Sequence, residues 1–384
     1  MVSERNGRWG QAIEVPGLAA LNKGGNAEVS SVSCASPGSC AAGGYYGNHG
    51  NNRYVVTSGR GFVAVERNGR WGRAVELPGL AALSKGGNAQ VSSVSCASPG
   101  SCAAGGAYTD GNGHQQGFVA VERIGVWLQA VEVPGLAALS KGGNPDVPVG
   151  VSSVSCASPG SCAAGGDYYT DASGKHAFVV SEVNGSWGTA QQVAANLGRG
   201  AAVNTVSCGS GGNCSAGGYY GGQAFVVSEV NGTWAAAQEV AGSLNTGGFG
   251  WVASVSCAPA GNCSAGGAYD YGGYNAPFVV SEKNGVWGQA IDVPGLVTRD
   301  AWISSVSCAS AGNCGAGGGY DGAGSGAFVV SEKNGVWGKG IKVPGPDGLP
   351  ADVGSVSCAP AGSCVAGGSY PEADRHISIE GFVT

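Results

Sequence analysis

Fourteen cysteines fall into seven pairs with the same six-residue step: Cys34/Cys40, Cys96/Cys102, Cys156/Cys162, Cys208/Cys214, Cys257/Cys263, Cys308/Cys314 and Cys358/Cys364. Successive first cysteines lie 62, 60, 52, 49, 51 and 50 residues apart. A fixed period of this size marks a chain built from stacked supersecondary units, a propeller or a solenoid. Each period also carries a Phe and, nine residues on, a Trp: Phe62/Trp71, Phe118/Trp127, Phe178/Trp187, Phe225/Trp234, Phe278/Trp287 and Phe328/Trp337. Trp9 lacks its Phe and Phe382 lacks its Trp. Joining residues 381–384 to residues 1–9 restores the unit with two surplus residues, so the seventh unit is split between the chain ends. A closed ring has a use for that split, because one sheet then clasps both termini and leaves no edge to cap. The expected fold is all-β, a single seven-bladed propeller over residues 1–384. Its closing blade is made of residues 1–16 together with 355–384.

Composition agrees. The 74 glycines and 16 prolines among 384 residues are about twice the usual share and oppose helices. Yet 43% of residues are hydrophobic and nine are Trp, which disordered chains do not support. A formal charge of −6 with 11% charged residues is a poor match to a phosphate backbone, so no nucleic acid is expected. No apolar run reaches the roughly 18 residues of a membrane span, so no membrane insertion is expected either. The first residues do not read as a signal peptide; any export signal is expected to have been removed, with Met1, the only Met, an added start.

Each unit reads as four short antiparallel strands. In the second, residues 91–96 are strand A, Ser98-Pro99-Gly100 a turn, residues 102–108 strand B, 109–116 a polar loop and 118–122 strand C. The C–D turn is Asn-Gly in most units, a strong hairpin signal. Strand D runs on from the Trp. A zinc site would need more than one two-cysteine set without His. Free thiols are a second reading. Evenly paired cysteines in every unit favour a disulfide across each A–B hairpin and an oxidising compartment.

The C–D element Ser281-Glu282-Lys283-Asn284-Gly285-Val286-Trp287 resembles the Asp-box hairpin of sialidase-type propellers, Ser-x-Asp-x-Gly-x-Thr-Trp, with Glu in the acidic place and Gly two before the Trp rather than three. The A–B element, residues 306–317, is similar to the VSC-x5-C-x-A-G repeats of secreted bacterial, especially actinobacterial, propeller proteins. These resemblances imply extracellular glycan binding or display more often than catalysis.

The A–B and C–D steps are constant, whereas the stretch from second Cys to Phe varies from 11 to 22 residues. The D–A connections vary as well. B–C and D–A loops share one face of a propeller, and function concentrates on variable loops over a rigid scaffold. That face carries aromatic and short polar residues, the mixture that stacks on sugar rings and bonds hydroxyls. The candidate ligand residues are Trp251, Trp302, Tyr46, Tyr108, Asp110, Tyr169, Asp171, Tyr220, Tyr271, Tyr320 and Asp321. The competing reading packs the Tyr residues between blades. The Glu five before each Trp is expected to brace its own Asn-Gly turn. The four His read as solvated loop residues, and no metal or cofactor is expected. Strand A reads Val-Ser-Ser-Val-Ser-Cys or nearly so, with no carboxylate, Lys or His, so neither an acid–base pair nor a Ser–His pair is expected and the chain reads as no enzyme. A secreted, monomeric, multivalent carbohydrate-binding propeller is the expectation, with cell-surface glycan or extracellular protein as partner. The alternative is a protein-binding or display scaffold of a larger assembly, such as an adhesin or toxin tip.

Overall fold

The computed structural model describes residues 4–5, 8–23, 25–49, 56–85, 87–140, 149–170, 174–209, 212–230, 232–258, 262–296, 298, 300–321, 324–345, 350–359, 362–371 and 379–383. The chain divides into two compact units, Met1–Gly174 with Phe178–Gln191, and Lys175–Ala177 with Gln192–Thr384. It is a seven-bladed β-propeller with one disulfide per blade. Blades are numbered here by cysteine pair.

Blade 2 shows the pattern. Strand A is Ala89–Ser98, B is Ser101–Thr109, C is Gln115–Arg123, and D comes in two pieces, Val126–Trp127 and Val131–Glu132. The order is A-B-C-D, and both pieces of D pair with C. Glu122 faces Trp127 while Phe118 faces Glu132, so one residue bulges between the pieces. Strands B and C run further into the expected B–C loop, pairing as far as Thr109 with Gln115. Blades 1 and 3–6 repeat the arrangement. The seventh sheet holds three strands, Asp352–Cys358, Cys364–Pro371 and Ile379–Val383. In the first unit, Glu4–Arg5 pairs with Arg8–Trp9 in the register Glu4↔Trp9, which is the C–D register Glu66↔Trp71 of blade 1.

The disulfides join the expected partners: Cys34–Cys40, Cys96–Cys102, Cys156–Cys162, Cys208–Cys214, Cys257–Cys263, Cys308–Cys314 and Cys358–Cys364. Each cysteine faces its partner across the A–B pair, as Cys96 faces Cys102, with Cα atoms 3.9–4.0 Å apart in all seven. The two ends of a bridge differ in environment, which spacing alone does not reveal. The strand B cysteines Cys40, Cys102, Cys162, Cys214, Cys263 and Cys314 are buried, whereas Cys96, Cys156, Cys208, Cys257 and Cys308 on strand A are half-buried and Cys34 is exposed. Cys102, Cys162, Cys263 and Cys314 pack in core clusters that include residues of the preceding blade, as Cys102 does with Ala41 and Val63. In blades 1–6 the bridge is therefore a staple rooted in the core at its strand B end. Cys364 of blade 7 departs from this and is exposed.

The invariant turns have local causes too. They are tied together: Gly125 N–H donates to Gly100 O at 2.9 Å, and a Cβ at Gly100 would lie 2.9 Å from Gly125 N. Neither turn can lengthen without breaking that tie. In the Gly-Gly pair, a Cβ at Gly106 would lie 1.9 Å from Gln90 O, and one at Gly105 would lie 2.6 Å from Val151 of the next blade. The pair is therefore a packing requirement, within the blade and between blades.

The serines of strand A join consecutive blades. Ser31 and Ser33 Oγ accept from Val94 and Cys96 N–H at 3.1 and 3.0 Å, and Ser93 and Ser95 do the same for Val154 and Cys156. In the second unit Ser254, Ser256, Ser305 and Ser307 repeat the contact at 2.9–3.0 Å. The Ser-x-Ser spacing of strand A is thus a ladder of inter-blade hydrogen bonds.

The unit Phe of blades 1–6 is fully buried. Contrary to the expectation of a turn brace, the Glu five before the Trp in blades 5 and 6 clamps the preceding blade. Glu282 accepts from Ser228 Oγ at 2.9 Å, and Glu332 from Ser281 and Ser264 Oγ at 2.6 and 3.0 Å. Trp287 and Trp337 Nε1 donate to the same Ser228 and Ser281, both at 2.9 Å. Blades 1 and 2 carry Val65 and Val121 in the serine's place; Arg67 and Arg123 approach Glu122 and Glu182 instead, at 3.4 and 3.6 Å. Burial pushes the carboxyls of Glu122, Glu182 and Glu282 up, against these partners.

Among the described residues, three short helices stand in D–A connections: Leu18–Asn22, Leu80–Leu83 and Leu136–Ser140. Each follows Pro-Gly and consists chiefly of Leu and Ala, the best helix formers, with the first Leu buried.

Candidate functional site

The sixth residue after each second cysteine is Tyr. In most blades it belongs to the core. Tyr46, Tyr108, Tyr220 and Tyr269 are buried, and their hydroxyls reach Glu76, Glu132, Glu239 and Asp292. Each acid lies opposite the unit Phe on strand D. Burial first, then the carboxylate, pushes the Tyr108, Tyr220 and Tyr269 hydroxyls up, holding them neutral. Candidate residues Tyr46, Tyr108 and Tyr220 are therefore enclosed blade residues rather than exposed platforms.

Asp110 caps its own loop: Oδ1 accepts from Asn112 and His114 N–H at 2.7 and 3.0 Å. Tyr169 is half-buried beside buried Tyr168, and Asp171 lies outside the described residues. His176 departs from the expectation of a solvated loop residue, being 8% exposed with Nδ1 at 3.2 Å from Gln192 Nε2. Trp251 is half-buried against Phe249, ring centroids 5.4 Å apart, while Phe249, Tyr271 and Tyr274 are exposed.

Blade 6 breaks the Tyr–acid pattern. Opposite Phe328 stands Lys342, so Tyr320 finds no strand D carboxylate; Lys342 Nζ instead lies 4.7 Å above its ring. Tyr320 stays half-buried and lines a cleft of about 420 Å³ between blades 6 and 7. Trp302 and Asp321 line it too, so three of the candidate residues meet here. Strand A of blade 7 adds Asp352, and strand B adds Ser369 and Tyr370. Burial, then the charge of Asp321, pushes the Asp352 carboxyl up. The two strands A that hold Trp302 and Asp352 start earlier than expected, and a carboxylate on strand A is a departure from the Val-Ser reading. Asp352 and Lys342 were missed as site residues; the signal for Lys342 was a basic residue in a column of Glu, Gln and Asp.

Neither a protein-family model nor a curated protein sequence matches the chain. Among solved structures it is similar to Sqt1 of Chaetomium thermophilum bound to the N-terminus of the ribosomal protein L10, with TM-score 0.51 and 15% identity over 90% of this chain and 83% of that one. It is also similar to the WD40 repeats of RRP9 (TM-score 0.49, 12% identity, 90% and 88% covered) and to the Hadza microbial sialidase Hz136 (0.44, 11%, 83% and 66%). The chain thus spans 66% of that sialidase's length. The likeness concerns fold, and defines the chain as a β-propeller repeat protein.

Proposed function

We propose that the chain is an extracellular carbohydrate-binding propeller whose principal site is the cleft between blades 6 and 7. One observation carries the reading: Trp302, Tyr320 and Tyr370 line one cleft with Asp321, Asp352 and two serines. Flat aromatic faces against hydrogen-bonding carboxylates and hydroxyls are what a sugar ring requires. The serines of strand A are committed to inter-blade bonds, which favours binding over catalysis. Seven disulfides fit an oxidising, extracellular setting. We also propose that the N-terminal hairpin completes the seventh blade, that the chain acts as a monomer, and that the C–D hairpins share descent with Asp-box propellers of secreted bacterial proteins. Avidity on a glycan-bearing surface would come from weaker sites on other blades, the exposed Tyr271 of blade 5 among them.

A glycan array followed by paired variants tests the reading. Trp302→Ala is expected to cost about 1–3 kcal/mol of binding with little change in melting. Trp287→Ala is expected to cost roughly 3–5 kcal/mol of stability, since it loses a buried indole and its bond to Ser228. Binding untouched by Trp302→Ala would remove the cleft from the site. A protein-binding face is the second reading, favoured by exposed Phe249, Tyr271 and Tyr274 on blade 5. It predicts an empty array and a protein ligand lost on Phe249→Ser.

A further inference from the structure

The nature of the sugar is written in one unsatisfied atom, granted the reading of the cleft as a carbohydrate site. The residue just before the apolar position of strand A is Glu28 in blade 1 and Asp352 in blade 7. In blade 1 the acid is satisfied across the sheet, where its register partner Tyr45 donates to Glu28 Oε2 at 2.8 Å. In blade 7 the register partner is Ser369, and Asp352 Oδ1 is buried without any hydrogen-bond partner. A buried carboxylate oxygen left unpaired is costly, and such atoms in folded proteins ask for an explanation.

The oxygen leans over Gly319 of the neighbouring blade. A Cβ at Gly319 would lie 2.5 Å from Asp352 Oδ1 and 2.9 Å from Trp302 Cζ2. The absence of a side chain there lets the free oxygen and the indole edge pack side by side against the Gly319 backbone in the cleft wall. Asp321 brings a second carboxylate to the same cleft, and no Lys, Arg or His is among its described lining residues. Lys342 stands against the Tyr320 ring and is not among them. Two acids, three aromatic rings and an orphan acceptor form a cavity that is complementary to a cation that also donates hydrogen bonds.

We propose that this cleft selects an amino sugar, with its protonated amine donating to the Asp352 carboxylate and its ring stacked on Trp302. A free amine supplies both the charge and the donor. N-acetylation removes the charge and adds bulk. A neutral hydroxyl supplies the donor alone.

Calorimetric titration of the full chain with three tetrasaccharides of matched linkage tests this: glucosamine, N-acetylglucosamine and glucose oligomers. The glucosamine oligomer is expected to bind at least tenfold more tightly than either. Asp352→Asn, nearly isosteric, is expected to shrink that preference to within twofold. Gly319→Ala approaches the same oxygen from the other blade without altering charge, and is expected to weaken the glucosamine oligomer at least tenfold. Trp302→Ala separates a seated sugar from a polycation held by an acidic surface, since only the first loses affinity. Equal affinity for the three oligomers, or a preference that survives both Asp352→Asn and Trp302→Ala, overturns the amino-sugar assignment while leaving the carbohydrate reading standing. Binding of none of the three, together with an empty glycan array, overturns that reading and this one with it.

Discussion

Val65→Ser should stabilise the protein, although it removes two methyl groups from a partly buried side chain. The clamp between blades has two forms. From blade 4 to 5 and from blade 5 to 6, one serine hydroxyl accepts from the indole of the next blade and donates to that blade's Glu, as Ser228 does for Trp287 and Glu282, both at 2.9 Å. Val65 occupies that position in blade 1 and packs against the cluster that contains Trp127. Both atoms a serine would serve are orphaned there: Trp127 Nε1 and Glu122 Oε2 are buried without partners. Relieving two buried unsatisfied groups is worth about 2–4 kcal/mol, and losing the half-buried valine methyls costs about 1–1.5 kcal/mol. The net gain is about 0.5–3 kcal/mol. Non-reducing guanidinium titrations followed by Trp fluorescence should show the midpoint rise for Val65→Ser. Ser228→Val, the reverse exchange, should lower the midpoint and cost about 2–3 kcal/mol of stability, because it orphans Trp287 Nε1 and a Glu282 oxygen together. A destabilised Val65→Ser, or a neutral Ser228→Val, would refute the account of the clamp as a three-way hydrogen bond.

Three further outcomes follow from the same structure. Ile124 stands fully exposed at φ 50°, where Asn68, Asn184, Asn284 and Asn334 stand in the corresponding turns at φ 49–55°, so Ile124→Asn should gain about 1 kcal/mol and raise the melting temperature; an unchanged curve counts against backbone strain at that turn. Burial holds the Glu122, Glu182 and Glu282 carboxyls above their ordinary value of 4.5, so each binds more protons folded than unfolded. Their contribution is complete below the unfolded pKa and is lost as pH rises through the folded one. Glu122→Gln should therefore flatten the fall in stability above about pH 4.5, and parallel stability–pH curves for variant and parent would contradict the sign. Lys342→Glu restores the blade pattern, so the Tyr320 hydroxyl should turn to the new carboxylate and sugar binding in the cleft should weaken; unaltered binding would show that Lys342 does not govern the cleft.

The architecture was legible because its determinants are local and repeated. The cysteine step places two residues opposite each other across one hairpin, and the Phe-to-Trp step spans one tight turn, so spacing alone gave units, strands and bridges. The B–C loops were overestimated in blade 2 because polar Thr109 and Gln115 still pair as strand. The D–A helices escaped notice because four or five residues of Leu and Ala carry no usable periodicity. What resisted reading was everything that crosses from one blade to the next. Glu282 looks like a turn brace until Ser228 of the preceding blade is beside it, and the serines of strand A look like filler until each meets the next strand's N–H. The bridges show the same limit, since pairing follows from spacing but the burial of Cys162 or Cys314 depends on the neighbouring blade.

The same distinction governs the cleft. Trp302, Tyr320 and Asp321 stood out by residue type, but so did Tyr46, Tyr108 and Tyr220, which the fold encloses. Type alone does not separate an enclosed Tyr from one facing a cleft; the residue fourteen beyond the unit Phe does. An acid there captures the hydroxyl, as Glu132 captures Tyr108 at 2.9 Å, and a lysine leaves the ring beside the cleft. In a repeat protein the scaffold is read from what every unit shares. The site is read from the column in which one unit departs, and here Lys342 marks the departure one blade before Asp352 is left without a donor.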